Sequence, residues 1–202
     1  MAGRILAAML AACVAGCGGG AGADEAGTPT FAQKSCHGHV TTVSLLGDST
    51  MLGTGILVQE AMTIRFGIES VAVTNYGIGG TTSGQARPHP ADIVVANYGI
   101  NDMRDGVSIA QFKANMVAIH ATIIETQSPV ADRSFPEGGY VGATTSMGID
   151  VADTNAYVLS LPNWQAMLVD GVHPDDTLYA DIVTNSLAPA IERQVLKLCQ
   201  SM

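Results

Sequence analysis

The chain has 202 residues, 47% hydrophobic and 13% charged, a balance that suits one compact α/β domain and excludes a disordered or fibrous protein. Acidic residues number 18 against 9 basic ones, giving a formal charge of -9, and no Lys/Arg cluster reverses it locally. A phosphate backbone would be repelled, so nucleic acid is excluded as an expected partner.

Arg4 followed by the apolar and small residues Ile5 to Gly16 reads as an export signal, because the run is too short to span a bilayer as a helix. Val14-Ala15-Gly16-Cys17 resembles the lipobox of bacterial lipoproteins, in which the cysteine is lipidated and becomes the new N-terminus. Leu10-Ala11-Ala12-Cys13 fits the same pattern. Cys17 is preferred, since it leaves the longer apolar stretch upstream and runs directly into the flexible tether Gly18 to Gly22. Residues 1–16 are therefore expected to be a signal peptide, 17–35 a linker and 36–202 the folded domain. The protein is expected to be exported and held at a membrane by its lipid anchor, on the periplasmic side or at the cell surface. Two cysteines remain, Cys36 and Cys199, and in an oxidising compartment a disulfide joining the two ends of the domain is expected.

Within the domain, Val40 to Leu46 is an apolar, β-branched run ending in Gly47-Asp48-Ser49, the pattern of a buried strand. Met51 to Phe66 places Leu52, Ile56, Ala61 and Ile64 at helical spacing, interrupted by Gly53 and Gly55. A second strand, Ser70 to Thr74, stops at Asn75-Tyr76-Gly77-Ile78-Gly79-Gly80, and a third, Asp92 to Ala96, stops at Asn97-Tyr98-Gly99-Ile100-Asn101-Asp102. Ser108 is placed to cap a helix running to His120, and Thr122 to Glu125 makes a short fourth strand. The stretch 130–148, with Pro136, Gly138, Gly139 and Gly142, reads as loop with at most a turn of helix, and Ile149 to Ala152 as a short fifth strand. Thr177 to Cys199 carries Leu178, Ile182, Leu187, Ile191, Val195 and Leu198 on one helical face, with Pro189 expected to kink it. This alternation argues for parallel strands joined by helical crossovers, with ligands at the carboxyl ends of the strands. The crossover after Asn101 and the stretch 130–148 look short of helix, so one sheet face is expected to be thinly covered.

Three strand ends finish in small, polar, glycine-containing segments, and a fourth such segment, Asp170-Gly171-Val172-His173-Pro174, precedes the last helix. A parallel sheet gathers these at one edge, where they supply the parts of an acyl-transfer site. Ser49 is the candidate nucleophile and His173 its base, with Asp170 three residues away to fix the imidazole tautomer. Asp175 and Asp176 are neighbouring alternatives for that acid. The backbone N–H groups of Ser49 and Gly80 and the side-chain amide of Asn101 are candidate oxyanion donors, and Gly79 competes with Gly80 for that place. Asp48 and Asp102 read as structural, bonding loop backbone beside the site. His37 and His39 flank Gly38 beside Cys36 without a further ligand cluster, so no metal and no cofactor is expected, while His89 and His120 lie away from every motif.

Taken together, the four segments resemble the sequence blocks of the SGNH (GDSL-type) hydrolase family. The first block, usually Gly-Asp-Ser-Leu, is present as Gly47-Asp48-Ser49-Thr50; the second-block glycine corresponds to Gly80, and the third block to Gly99-Ile100-Asn101-Asp102. The fifth is Asp170-Gly171-Val172-His173-Pro174, and all four occur in the family order. The resemblance implies a flavodoxin-like three-layer α/β/α sandwich with a central parallel sheet, and hydrolysis of esters or thioesters without a metal. Thr50 in place of leucine is similar to the Gly-Asp-Ser-Thr form of several carbohydrate acetylesterases, which makes O-acetyl groups on a polysaccharide the preferred substrate. Lysophospholipid or thioester hydrolysis is the alternative and requires a longer apolar groove. A surface lipoprotein that keeps the fold only for binding is the alternative outside enzymology.

Overall fold

The computed structural model describes Cys36 and residues 38–132 and 140–202. The expected signal peptide, lipidation site Cys17 (or Cys13) and linker lie outside the described residues, as do His37, Pro136, Gly138 and Gly139. In chain order the elements are β1 (Thr41–Gly47), α1 (Ser49–Leu52), α2 (Gly55–Phe66), β2 (Val71–Asn75), a 3-10 turn (Ser83–Gln85), β3 (Ile93–Asn97), α3 (Ile100–Arg104) and α4 (Ile109–Ala118). They continue with β4 (Ile123–Glu125), α5 (Val141–Thr145), β5 (Asp150–Ala152), α6 (Thr154–Ser160), a 3-10 turn (Trp164–Met167), α7 (Asp176–Ile182), a π-helical turn (Val183–Leu187) and α8 (Ala188–Ser201).

The strands form one sheet in the order β2-β1-β3-β4-β5, every neighbouring pair parallel. Side chains alternate across a strand, so the apolar runs bury both faces. Val43 and Leu45 of β1, Ile93 and Val95 of β3 and Ile123 of β4 enter a core with α2 and α8, while Leu46, Val94, Ala96 and Ile124 enter a second core with α4 and Tyr140. Val158, Leu168, Leu178 and Ile182 join α6, α7 and the turn between them in a smaller cluster. The architecture is the expected three-layer α/β/α sandwich, in flavodoxin-like strand order.

Several local expectations are corrected. Leu52, Ile56 and Ile64 are 54%, 78% and 77% exposed, and the buried stripe of α2 is Val58, Ala61, Met62 and Phe66. The segment carries two apolar stripes, and the sheet buries the one that ends in Met62 and Phe66. The crossover after Asn101, expected to be short of helix, contains both α3 and α4, the latter capped by the Ser108 hydroxyl accepting from Gln111 N at 3.1 Å. The helix α6 was not anticipated from the sequence. Around Pro189, which was expected to kink the helix, the ladder widens into a π-helical turn that ends just before α8, and Pro189 falls in the first turn of α8. Cys36 and Cys199 are joined by a disulfide with Cα atoms 4.6 Å apart.

Candidate active site

The strand order reverses between β1 and β3, and the crevice at their carboxyl ends is where open α/β sheets bind ligands. Ser49 opens α1 directly after β1. Its neighbour Asp48 caps that helix, accepting from Thr50 N at 2.9 Å and from the Thr50 hydroxyl at 2.8 Å. Thr50 is therefore turned inward and buried.

His173 arrives from the far end of the sequence on a tight turn. Asp170 Oδ1 accepts from Val172 N at 3.0 Å and from His173 N at 2.9 Å, and Val169 N donates to the His173 carbonyl at 2.8 Å. Gly171 between them has φ 82°, a left-handed conformation that favours glycine, and its carbonyl accepts from Ala131 N and Asp132 N. The short-range pattern Asp-Gly-x-His is thus a self-bonded turn that fixes the imidazole before any substrate is present. His173 Nε2 lies 2.8 Å from Ser49 Oγ, and His173 Nδ1 lies 2.7 Å from Asp170 Oδ2. With Nδ1–H donating to the carboxylate, Nε2 is left to accept the serine proton. Bonds from the His173 backbone and side chain, helped by Val172 N, hold the Asp170 carboxyl down at about 2, so it is a carboxylate at any working pH. Asp175, the alternative acid, is engaged elsewhere, capping α7 by accepting from Leu178 N at 2.8 Å.

The loop after β2 keeps the strand ladder going, with Tyr76 N on the Leu45 carbonyl and Ile78 N on the Gly47 carbonyl. That brings Gly79 alongside α1, where an added Cβ would lie 3.8 Å from Ser49 Cβ, and the next residue, Gly80, takes φ 75°. Asn101 is buried at the start of α3, and its Nδ2 donates to the Thr81 carbonyl at 3.0 Å, using one of its two amide hydrogens. Asp102 holds the same loop from beneath, accepting from Ser83 N at 2.9 Å and from the Ser83 hydroxyl. His89 is corrected here: its ring stacks on Tyr76 with centroids 3.6 Å apart, so it belongs to the wall of the second-block loop. His39 sits away from the site, its Nε2 3.1 Å from Asp92 Oδ2. Among the described residues no group of three His, Cys, Asp or Glu could hold a metal ion.

One set of polar residues behind the site escaped the sequence reading. Glu125, at the carboxyl end of β4, is fully buried and accepts from Thr154 Oγ1 at 2.8 Å and Asn97 Nδ2 at 3.0 Å; Thr154 Oγ1 is in turn 3.0 Å from Ser186 Oγ in the π-helical turn. Burial pushes its carboxyl up to about 7 against those bonds, with the Asp48 charge adding to the rise. Burial likewise raises Asp48, whose Oδ2 is buried with no hydrogen-bond partner among the described residues. The available signal was the run Glu125-Thr126-Gln127-Ser128, a fourth strand end that turns polar; the structure buries all four.

The frame carrying these residues is a doubly wound, all-parallel α/β fold with its polar groups gathered at the carboxyl edge of β1 and β3. Neither a protein-family model nor a curated protein matches the chain. Solved structures of similar fold include a lipase/acylhydrolase from Enterococcus faecalis (TM-score 0.55, 21% identity, 77% of this chain and 95% of that chain). The psychrotrophic esterase EstA from Pseudoalteromonas sp. is also similar (TM-score 0.54, 16% identity, 75% and 98%). So is the acetyl xylan esterase AlAXEase (TM-score 0.52, 18% identity, 71% and 96%). At these identities the likeness is one of fold.

Proposed function

We propose that this chain is a carboxylic ester hydrolase acting through an acyl-enzyme on Ser49. The observation that carries the reading is the continuous path from Ser49 Oγ through His173 to Asp170, with contacts of 2.8 Å and 2.7 Å. Ser49 Oγ attacks the ester carbonyl carbon as its proton passes to His173 Nε2, and Asp170 stabilises the imidazolium that forms. The negative charge on the carbonyl oxygen is met by Ser49 N–H, Gly80 N–H and the Asn101 amide. The intermediate collapses, the C–O bond breaks, and the leaving alcohol takes the proton from Nε2. Water then repeats the sequence on the acyl-serine, His173 again taking and returning one proton, and frees the acid.

The finer reading divides over the acyl group. A short acyl, above all O-acetyl, follows from the Gly-Asp-Ser-Thr form, although Thr50 bonds Asp48 and does not reach the substrate side. A longer chain is favoured by an apolar groove that begins one helical turn from Ser49. In the whole protein, lipidated Cys17 would place this domain at a membrane surface. Labelled palmitate should enter the full chain and its Cys13→Ala variant but not Cys17→Ala.

The test is hydrolysis of p-nitrophenyl esters from acetate to palmitate, alongside labelling by a fluorophosphonate that phosphonylates serine hydrolases. The parent is expected to cleave and to be labelled, and Ser49→Ala to do neither, a loss on the order of 10⁴-fold or more in kcat. A folded parent that is neither active nor labelled would instead be the binding protein of the same fold.

A further inference from the structure

The geometry points to the groove between α2 and the outer edge of β2 as the seat of the substrate's acyl chain, which makes the substrate class esters of medium-length apolar acids. This inference rests on the ester-hydrolase reading. The groove has a volume of about 540 Å³ and is lined by Leu52, Ile56, Gln59, Glu60, Val73 and Asn75. That volume lies within the range of small-molecule sites.

Its inner end is Leu52, one turn along α1 from Ser49. Gly79 lies close to both residues, since a Cβ there would stand 3.8 Å from Ser49 Cβ and 3.9 Å from Leu52 Cδ1. The same stripe that the sheet declined, Leu52 and Ile56, forms the exposed wall. Apolar side chains left in water beside a reacting centre are the surface an acyl chain would cover.

The two amide side chains of the lining are already engaged within the protein. Gln59 Nε2 donates to the Val71 carbonyl at 3.0 Å and its Oε1 accepts from Val73 N at 2.9 Å; Asn75 Nδ2 donates to the Met51 carbonyl at 2.8 Å and its Oδ1 accepts from Gly77 N at 2.8 Å. Gln59 thereby occupies two outward backbone groups of the edge strand β2, the Val71 carbonyl and the Val73 N–H. A peptide adding itself as a further strand would find that backbone taken, which argues against a protein segment as the occupant. A hydrocarbon chain asks for no hydrogen bonds and fits what remains. The carboxylate of Glu60, one helical turn beyond Ile56 on α2, disfavours an anionic tail.

Each methylene lodged in a half-open groove is expected to raise kcat/KM about twofold, so p-nitrophenyl octanoate should exceed the acetate on the order of 50-fold. The experiment measures the octanoate-to-acetate ratio of kcat/KM for the parent, for Ile56→Asp and for Ile64→Asp. Both isoleucines are exposed on α2, so both variants should fold; only Ile56 lines the groove. Ile56→Asp should cut the ratio about tenfold, while Ile64→Asp keeps the parent ratio. If acetate is cleaved as well as or better than octanoate, or if Ile56→Asp leaves the ratio unchanged, the groove assignment falls and the ester-hydrolase reading stands. If the folded parent cleaves neither ester, both fall together.

Discussion

Asp170 illustrates how one side chain can matter for chemistry and little for stability. Its side chain is 54% exposed, so its three hydrogen bonds compete with water and their contribution to folding is small. Its value lies in selecting the tautomer of His173. In Asp170→Asn the side-chain oxygen can still receive the two backbone N–H groups, but the amide nitrogen then faces Nδ1 as a donor and turns the imidazole to the wrong tautomer. The expected result is a kcat lower by 10³ to 10⁴, roughly, with KM nearly unchanged and the melting temperature within about 2 °C of the parent. Steady-state kinetics and thermal unfolding check both halves. A depressed carboxyl stabilises the fold above its unfolded value and loses that contribution only as pH falls toward about 2. Any activity lost between pH 7 and 4 therefore belongs to another group, and the acid limb of the pH profile should persist in the variant. This part of the site was legible in the sequence because Asp170, Gly171 and His173 bond within one turn, and short-range geometry is what a local pattern encodes.

Contacts between elements were less legible. Glu125 closes an apolar strand, and nothing in Ile123-Ile124-Glu125 announces that the carboxyl meets Asn97 of β3, Thr154 of α6 and, through it, Ser186. Its titration gives that network a measurable signature. The folded carboxyl is pushed up to about 7, above its ordinary 4.5, so the native state holds the proton longer than the unfolded chain does. The stability contributed by the neutral form is present below about 4.5 and is lost as pH rises from there through about 7. Glu125→Gln, which stays neutral, should show a smaller fall in melting temperature between pH 5 and 8 than the parent; equal falls would remove the raised carboxyl from the account. The contact of α1 with α7 is equally hidden. A Cβ on Gly53 would come within 2.6 Å of the Tyr179 ring, a distance no packing tolerates. Because α1 carries Ser49 and α7 follows the His173 turn, Gly53→Ala should cost about 1 to 3 kcal/mol and on the order of 10²-fold in kcat. Adding Tyr179→Leu should recover part of the kcat if the clash, and not the helix end itself, is the cause. The face of α2 was misjudged for a related reason: two apolar stripes are present, and only the sheet decides between them.

At the scale of the molecule, the parallel sheet and the positions of the strand ends were legible in the alternation of strand and helix patterns, while the flavodoxin-like architecture was implied by the family resemblance. The covalent tie between the two ends of the domain was legible as well, in the pair Cys36 and Cys199, whereas the bonds that hold α8 to β5 were not. Cys36 stands ahead of β1, the strand that carries Ser49, and Cys199 closes α8, which covers one face of the sheet and is further tied to β5 by Arg193 Nη2 to Asp150 Oδ1 at 3.1 Å and Gln194 Nε2 to Asp150 Oδ2 at 2.8 Å. The disulfide spans 163 residues of sequence. In the chain-entropy account, a loop of that length destabilises the unfolded chain by about 5 kcal/mol. For a domain of this size, that corresponds to roughly 10 to 20 °C in melting temperature. The bond lies at the amino-terminal edge of the sheet, opposite Ser49 and His173, so its loss should leave the site's geometry alone while the domain remains folded. Replacing both cysteines by alanine should lower the melting temperature by about that amount and keep kcat at 25 °C within about twofold, since only the unfolded chain gains freedom. A melting temperature that moves by less than about 3 °C would mean that the packing of α8 and its bonds to Asp150, and not the covalent tie, hold the two ends together.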